Sequence, residues 1–159
     1  MANTQSMCTS FLGELLQSYH NFSSVSPGRS ANTPDTFKAA LYLTSATLNA
    51  GTTAYSGAGE VSGTGYTAGG IAVTNAVNPT STNASTTAGT GYWTPSGNLV
   101  YSGVTLSSAF DTVLIYNSTQ GNRAVSVHTF GSQTITAGTF TLTMPNNTTS
   151  TALLRLATT

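Results

Sequence analysis

The sequence predicts a mainly β protein, an antiparallel β-sandwich of jelly-roll-like form with one short N-terminal helix. Three observations carry this. Past Pro34 the apolar residues recur with a period of two in many short runs. Gly-, Thr- and Asn-rich turns separate the runs, without the alternation of strand and helix patterns that a parallel α/β sheet requires. Only one stretch, TSFLGELLQSYHNF near the start, shows helical spacing.

In that stretch Phe11, Leu15, Tyr19 and Phe22 fall at i, i+4, i+8 and i+11, and Leu12 and Leu16 widen the stripe. The spacing predicts a helix over 10–20. Thr9 or Ser10 would cap its free N–H groups, and Glu14 would sit in the early turns, where the helix dipole favours negative charge. The following SSVSPGRSANTP has two prolines and no period, so it reads as a linker. Residues 1–34 are thus expected to form a helical arm and linker, and 35–159 the β domain.

In FKAALYL, Phe37, Ala39, Leu41 and Leu43 point one way and Lys38, Ala40 and Tyr42 the other, which predicts a half-buried strand. Further strands are expected at 71–77, 99–106, 112–117, 124–130, 139–144 and 152–157. The loop STQGN, with Gly121, predicts a hairpin between VLIYN and RAVSVHTF. PNNTTS predicts a second hairpin, joining 139–144 to ALLRLA, with Phe140, Leu142 and Met144 inward and Thr139, Thr141 and Thr143 outward. Residues 78–98 lack a period and aliphatic residues, so a long exposed loop is expected there, with Tyr92 and Trp93 as its rings.

The chain has 159 residues, enough for one domain, and charged side chains make up only 5% of it, against about 25% in ordinary soluble domains. Four Lys+Arg balance four Asp+Glu. With Arg29, Lys38, Arg123 and Arg155 as the only cations, no basic stripe can neutralise a row of phosphates, and nucleic acid is not an expected partner. No apolar run approaches the roughly 18 residues of a membrane-spanning helix, so no membrane partner is expected either. The start, MANTQSMCTS, lacks the cationic and apolar regions of a signal peptide, so cytoplasmic synthesis without export is expected. A lone Cys8 forms no intramolecular disulfide.

Catalytic patterns are weak. Glu14, Asp35, Glu60 and Asp111 lie in four dissimilar settings, where general acid–base chemistry wants two carboxylates brought together. Neither His20 nor His128 has a second His or Cys at ligand spacing, so no metal is expected. Gly63, Gly65 and Gly69 imitate a dinucleotide loop, yet the IAVTNAV that follows alternates like a strand instead of opening a helix. A wide turn with glycines at positive φ around Tyr66 is the expectation, and no cofactor. Tyr55, Tyr66, Tyr92, Trp93 and Tyr101 could stack on sugar rings, although filling a core is the commoner use of such rings.

The segments FLGELLQSYHNF, PDTFKAALYL, AYSGAGEVSGTGYTAGG, VLIYNSTQGNRAVSV, GTFTLTMP and LLRLA resemble a family of small virion structural proteins found among the head and tail genes of tailed double-stranded DNA bacteriophages. The resemblance covers most of the chain outside about 78–110, and EVSGTGYTAGG and LIYN with its hairpin partner are its most specific pieces. It implies a non-enzymatic place in the virion, made in the host cytoplasm. Within the virion, the neutral chain suits the outer surface of the head better than an inner face against packaged DNA. The expectation is a capsid decoration or cement protein, a homotrimer bridging major capsid protein subunits through Phe11, Leu15, Tyr19 and Phe22. The alternative is a tail-fibre or head-fibre component that binds host surface glycan through Tyr92 and Trp93.

Overall fold

The computed structural model describes residues 2–23, 33–75, 77–82 and 88–158. The chain runs β1 (Ser6–Met7), α1 (Thr9–Leu16), β2 (Phe37–Leu43), β3 (Ile71–Ala72), β4 (Thr80–Ser81), β5 (Thr90–Trp93), β6 (Leu99–Asn117), β7 (Arg123–Leu142) and β8 (Leu154–Ala157). The strands form a five-stranded sheet, β1-β7-β6-β2-β3, and a three-stranded sheet, β4-β5-β8, with every pairing antiparallel. Among the described residues the fold is mainly β with one short helix. These strand orders establish the antiparallel two-sheet arrangement and go no further toward the expected jelly-roll path.

The centre is the β6–β7 ribbon. Each of its strands unites two that the sequence separates, because 107–111 and 131–138 lose the alternation of a strand and yet stay paired. Register shifts at Tyr101/Val104, Val104/Leu106, Leu106/Phe110 and Phe110/Thr112 supply the reason, since bulges let a ribbon bend without losing its partner. The bend is sharp. Phe130 and Phe140 lie on one strand, where ten residues of straight chain would span about 33 Å, yet their ring centroids are 5.2 Å apart. Phe110 meets Phe140 edge-on at 5.0 Å. One hairpin therefore supplies two layers, and Leu99, Tyr101, Val104, Leu106 and Phe110 are buried in it. Its turn is the predicted one, with Asn117 opposite Arg123 and positive φ at Gly121 and Asn122.

Strand β2 has the predicted bounds but not the predicted exposure. Ala40 and Tyr42 are as buried as Ala39 and Leu41, because chain from the 44–70 segment lies over the face expected to meet solvent. Tyr42 donates its hydroxyl proton to Ser56 O at 2.5 Å, and Tyr55 stacks on Tyr116 at 4.7 Å. The glycine-rich stretch does contain the expected positive-φ residues, Gly65, Gly69 and Gly70 among them. Close approach is the further reason for glycine there. A Cβ on Gly65 would lie 2.3 Å from Gly103 O, and one on Gly70 would lie 1.8 Å from Ala39 O.

The N-terminal segment is woven into the main sheet. Ser6 and Met7 pair with Val127 and Ser126, Asn3 Nδ2 donates to Leu43 O and Asp111 Oδ1, and Cys8 and Phe11 enter the core. Helix α1 is shorter than the expected 10–20, since Gln17 N–H closes on Gly13 O and Ser18 turns away at φ 61°. Neither Thr9 nor Ser10 caps it. Thr9 N–H bonds Ala50 O, a neighbouring strand connection doing what a cap side chain would do, and Ser10 Oγ is buried without a partner. The linker expected at 23–34 lies, except for its ends, outside the described residues.

The C-terminal half departs most. β8 pairs with β5, Trp93 opposite Leu154 and Thr90 opposite Ala157, so the expected hairpin between 139–144 and 152–157 does not form. Residues 78–98 accordingly contain β4 and β5 and are not one exposed loop, although 83–87 lie outside the described residues. Of the strand expected at 71–77, Ile71–Ala72 pairs with β2 and Val73 N–H bonds Phe37 O, while residue 76 lies outside the described residues. The inward Phe140 and outward Thr139, Thr141 and Thr143 are as predicted.

Candidate docking surface around the N-terminal helix

Helix α1 presents two unlike faces. Phe11 is 2% exposed and turns inward to the aromatic cluster of Phe22, Phe37 and Trp93, where Phe22 stacks on Phe37 at 4.3 Å and meets Trp93 at 4.9 Å. Leu16 is 90% exposed and Leu12 45%. Of the four residues expected to touch a capsid or a neighbouring copy, Phe11 and Phe22 thus serve this chain's own core and Leu15 is half-buried. Tyr19 stays at the surface beneath the Arg123 guanidinium, 4.1 Å above its ring. The outward apolar positions are Leu12 and Leu16, which the sequence places on the flank of the stripe.

A buried polar network holds the helix in place. Glu14, 7% exposed, takes a hydrogen bond from Arg123 Nη1 at 2.8 Å on Oε1 and lies 2.8 Å from His20 Nε2 through Oε2. His20 Nδ1 lies 3.1 Å from Asn117 Nδ2, which also donates to Asp35 Oδ2 at 2.7 Å. Asp35 Oδ2 accepts the Asn21 N–H as well, fixing the chain just beyond the helix. Burial pushes the His20 pKa below the usual 6.5, against the opposing pull of the Glu14 contact. This network differs from the expectation of a dipole-stabilised Glu14. Nothing local signals it, because His20 and Asn117 are 97 residues apart.

Beside α1 runs an apolar groove of about 300 Å³, lined by Leu15, Phe22, Tyr92, Trp93, Leu154 and Leu156 among others. Trp93 does not offer a free face for a sugar. It is 3% exposed, packed on Phe22, and its indole N–H is held by Asn75 Oδ1 at 3.1 Å and Val77 O at 2.9 Å. Tyr92 is half-buried at the groove wall. The pair expected as a glycan platform is therefore split between core and groove, because β5 has a partner strand on each side.

The other carboxylates are committed to structure. Glu60 accepts the Tyr55 hydroxyl at 2.6 Å, the Tyr66 hydroxyl at 2.7 Å and Gly69 N–H at 2.7 Å. Tyr66 Oη in turn accepts Leu41 N–H, so one side chain ties the glycine-rich segment to the edge of β2. Burial and the Glu60 carboxylate raise the Tyr66 pKa and push that of Tyr55 up to about 12. Asp111 Oδ1 accepts hydrogen bonds from Asn3 and Thr112. Among the described residues no three His, Cys, Asp or Glu side chains are placed to hold a metal. Cys8 is fully buried, which raises its thiol pKa to about 12. His128 bonds Ser126 Oγ at 2.8 Å, and burial pushes its pKa down to about 4.

Comparison with known proteins finds no matching family model, no similar curated protein and no similar solved structure.

Proposed function

We propose that the protein is a non-enzymatic structural component of a bacteriophage virion, a decoration or cement protein on the outer surface of the head that bridges major capsid protein subunits. The observation that supports this reading best is the outward face of α1. Leu16 and Leu12 stand exposed on a helix whose opposite face is clamped by Phe11 and Glu14, so an apolar contact is offered from a rigid base. Preorganisation of this kind lowers the ordering cost of association. The near absence of charge fits the same use, since copies packed at high local density do not repel one another. The carboxylates support it too, each being engaged in holding the fold together.

The test is occupancy in purified particles by electron cryomicroscopy, combined with binding of the isolated protein to shells. A cement role gives hundreds of copies on the head lattice, with α1 at the contact. A few dozen copies or fewer at the tail or on fibres, or turnover of a polysaccharide by the isolated protein, overturns it.

A further inference from the structure

The contact between His20 and Asn117 has a polarity that the surrounding bonds impose. Asn117 Oδ1 accepts the backbone N–H groups of Thr119 and Gln120, both at 3.1 Å, so the amide cannot be turned over without losing two bonds. Its NH₂ group therefore faces Asp35 Oδ2 at 2.7 Å, His20 Nδ1 at 3.1 Å and Tyr19 O at 3.3 Å, and its two protons go to the two shorter contacts. A nitrogen that meets an NH₂ donor must be the unprotonated one. The remaining proton sits on Nε2 and is donated to Glu14 Oε2. His20 is thus neutral in the docked state, with its side chain completely enclosed.

Adding a proton at Nδ1 sets N–H against N–H at 3.1 Å. The charged groups around the ring are Glu14 from α1, Asp35 from the lead-in to β2 and Arg123 from β7. The carboxylates favour the cation and Arg123 opposes it, and the Phe11, Phe22 and Phe37 rings that enclose the imidazole leave no water to solvate it. Asp35 can accept Nδ1–H only if Asn117 moves out of the way, and Asn117 is pinned by its own turn. The segment that can move is the one carrying His20.

We propose that His20 and Asn117 form a proton-operated latch: with the ring neutral the helix and its following turn stay docked, and a second proton on the ring releases them from the sheet. Release uncovers Phe11, Leu15 and Phe22 beside the already exposed Leu12 and Leu16, so acidification enlarges the apolar surface at this end of the molecule. The inference stands apart from the capsid reading, because it concerns the isolated chain.

Two measurements test it on the full-length protein. Ring ¹⁵N shifts of His20 at about pH 7.5 are expected to show the neutral Nε2–H tautomer, and either the Nδ1–H tautomer or a cation overturns the latch. Hydrogen exchange, corrected for its intrinsic pH dependence, is expected to show protection of the 11–17 amides falling about tenfold or more from pH 7.5 to about 4.5, while 113–116 stay protected. Unchanged α1 protection, or loss in step with 113–116, overturns it. Repeating the exchange in His128→Gln removes the second imidazole, and a local α1 response that vanishes there shows that His128 and not His20 is the trigger. Should that variant not fold, separate NMR titration of the two wild-type imidazoles decides which one tracks the α1 response.

Discussion

Glu14 and Glu60 do the same job at two places by different chemistry. Each is a carboxylate that fastens a non-strand segment to the central sheet, α1 in one case and the glycine-rich 59–70 stretch in the other. Glu14 is bonded by an arginine and a histidine, and its surroundings include a second carboxylate, Asp35. Glu60 is bonded by two tyrosine hydroxyls and a backbone N–H. The arginine makes the first fastening strong per contact, and the histidine makes it sensitive to protons. Neutral donors make the second one insensitive to the state of any imidazole. The helix end of the molecule is therefore the part built to respond, and the tyrosine end the part built to stay.

That contrast is open to direct tests. Glu14→Ala should have the largest effect, about 3 kcal/mol lost in urea denaturation, because it strands the enclosed His20 Nε2–H and removes the partner of Arg123. A loss below about 1 kcal/mol would reduce the Glu14 cluster to the rank of a surface pair. Acid comes next. Both imidazoles have folded-state pKa values below that of free histidine, so the unfolded chain takes up protons first. Stability is then fully present above about pH 6.5 and is lost as pH falls toward about 4, with His128 contributing at most about 3 kcal/mol. Urea midpoints at pH 7.5 and 4.5 measure the loss, and His128→Gln should flatten most of it.

Tyr66→Phe should cost less, about 1–2 kcal/mol, because it takes the partner from Leu41 N–H and leaves Glu60 Oε1 with Gly69 N–H alone. The loss should be equal at pH 7.5 and about 6, a range in which free imidazole begins to titrate and carboxylates do not, since this cluster contains no imidazole. A pH-dependent loss would erase the distinction between the two ends. Leu16→Asp should have the smallest effect on folding, within about 0.5 kcal/mol by thermal denaturation, because the side chain is 90% exposed. The same variant should weaken shell binding by tenfold or more if α1 is the contact. Retained binding would move the docking surface elsewhere.

Local pattern was enough for β2, whose alternating FKAALYL yields the right bounds, for the Asn117–Arg123 hairpin, whose STQGN carries its own turn chemistry, and for the outward Thr139, Thr141 and Thr143. It also places Phe11 and Phe22 on one helical stripe. What the stripe faces is another matter, because an amphipathic face is equally apolar toward a partner and toward its own sheet. Phe11 and Phe22 proved to be internal, while Leu15 is half-buried, Tyr19 stays at the surface and the exposed leucines lie beside them. At the candidate site, Glu14 and His20 were visible as isolated titratable residues, while Asn117 and Arg123, their partners across the sheet, carried no signal.

Composition and periodicity by themselves determined the mainly β class, the single helix, the neutral surface and the local hairpin, since each follows from interactions between residues close in sequence. Tertiary structure alone decided that β8 pairs with β5, that β6 and β7 bend into two layers, and that Trp93 is core. A strand as short as TGYW has too few residues to announce itself, and LRLA, which alternates as a strand, carries nothing that names its partner. Its hydrogen bonds exist only once a distant edge arrives to accept them. The state of His20 belongs to the same class, because a proton's place on an enclosed ring is set by the donors that folding brings around it.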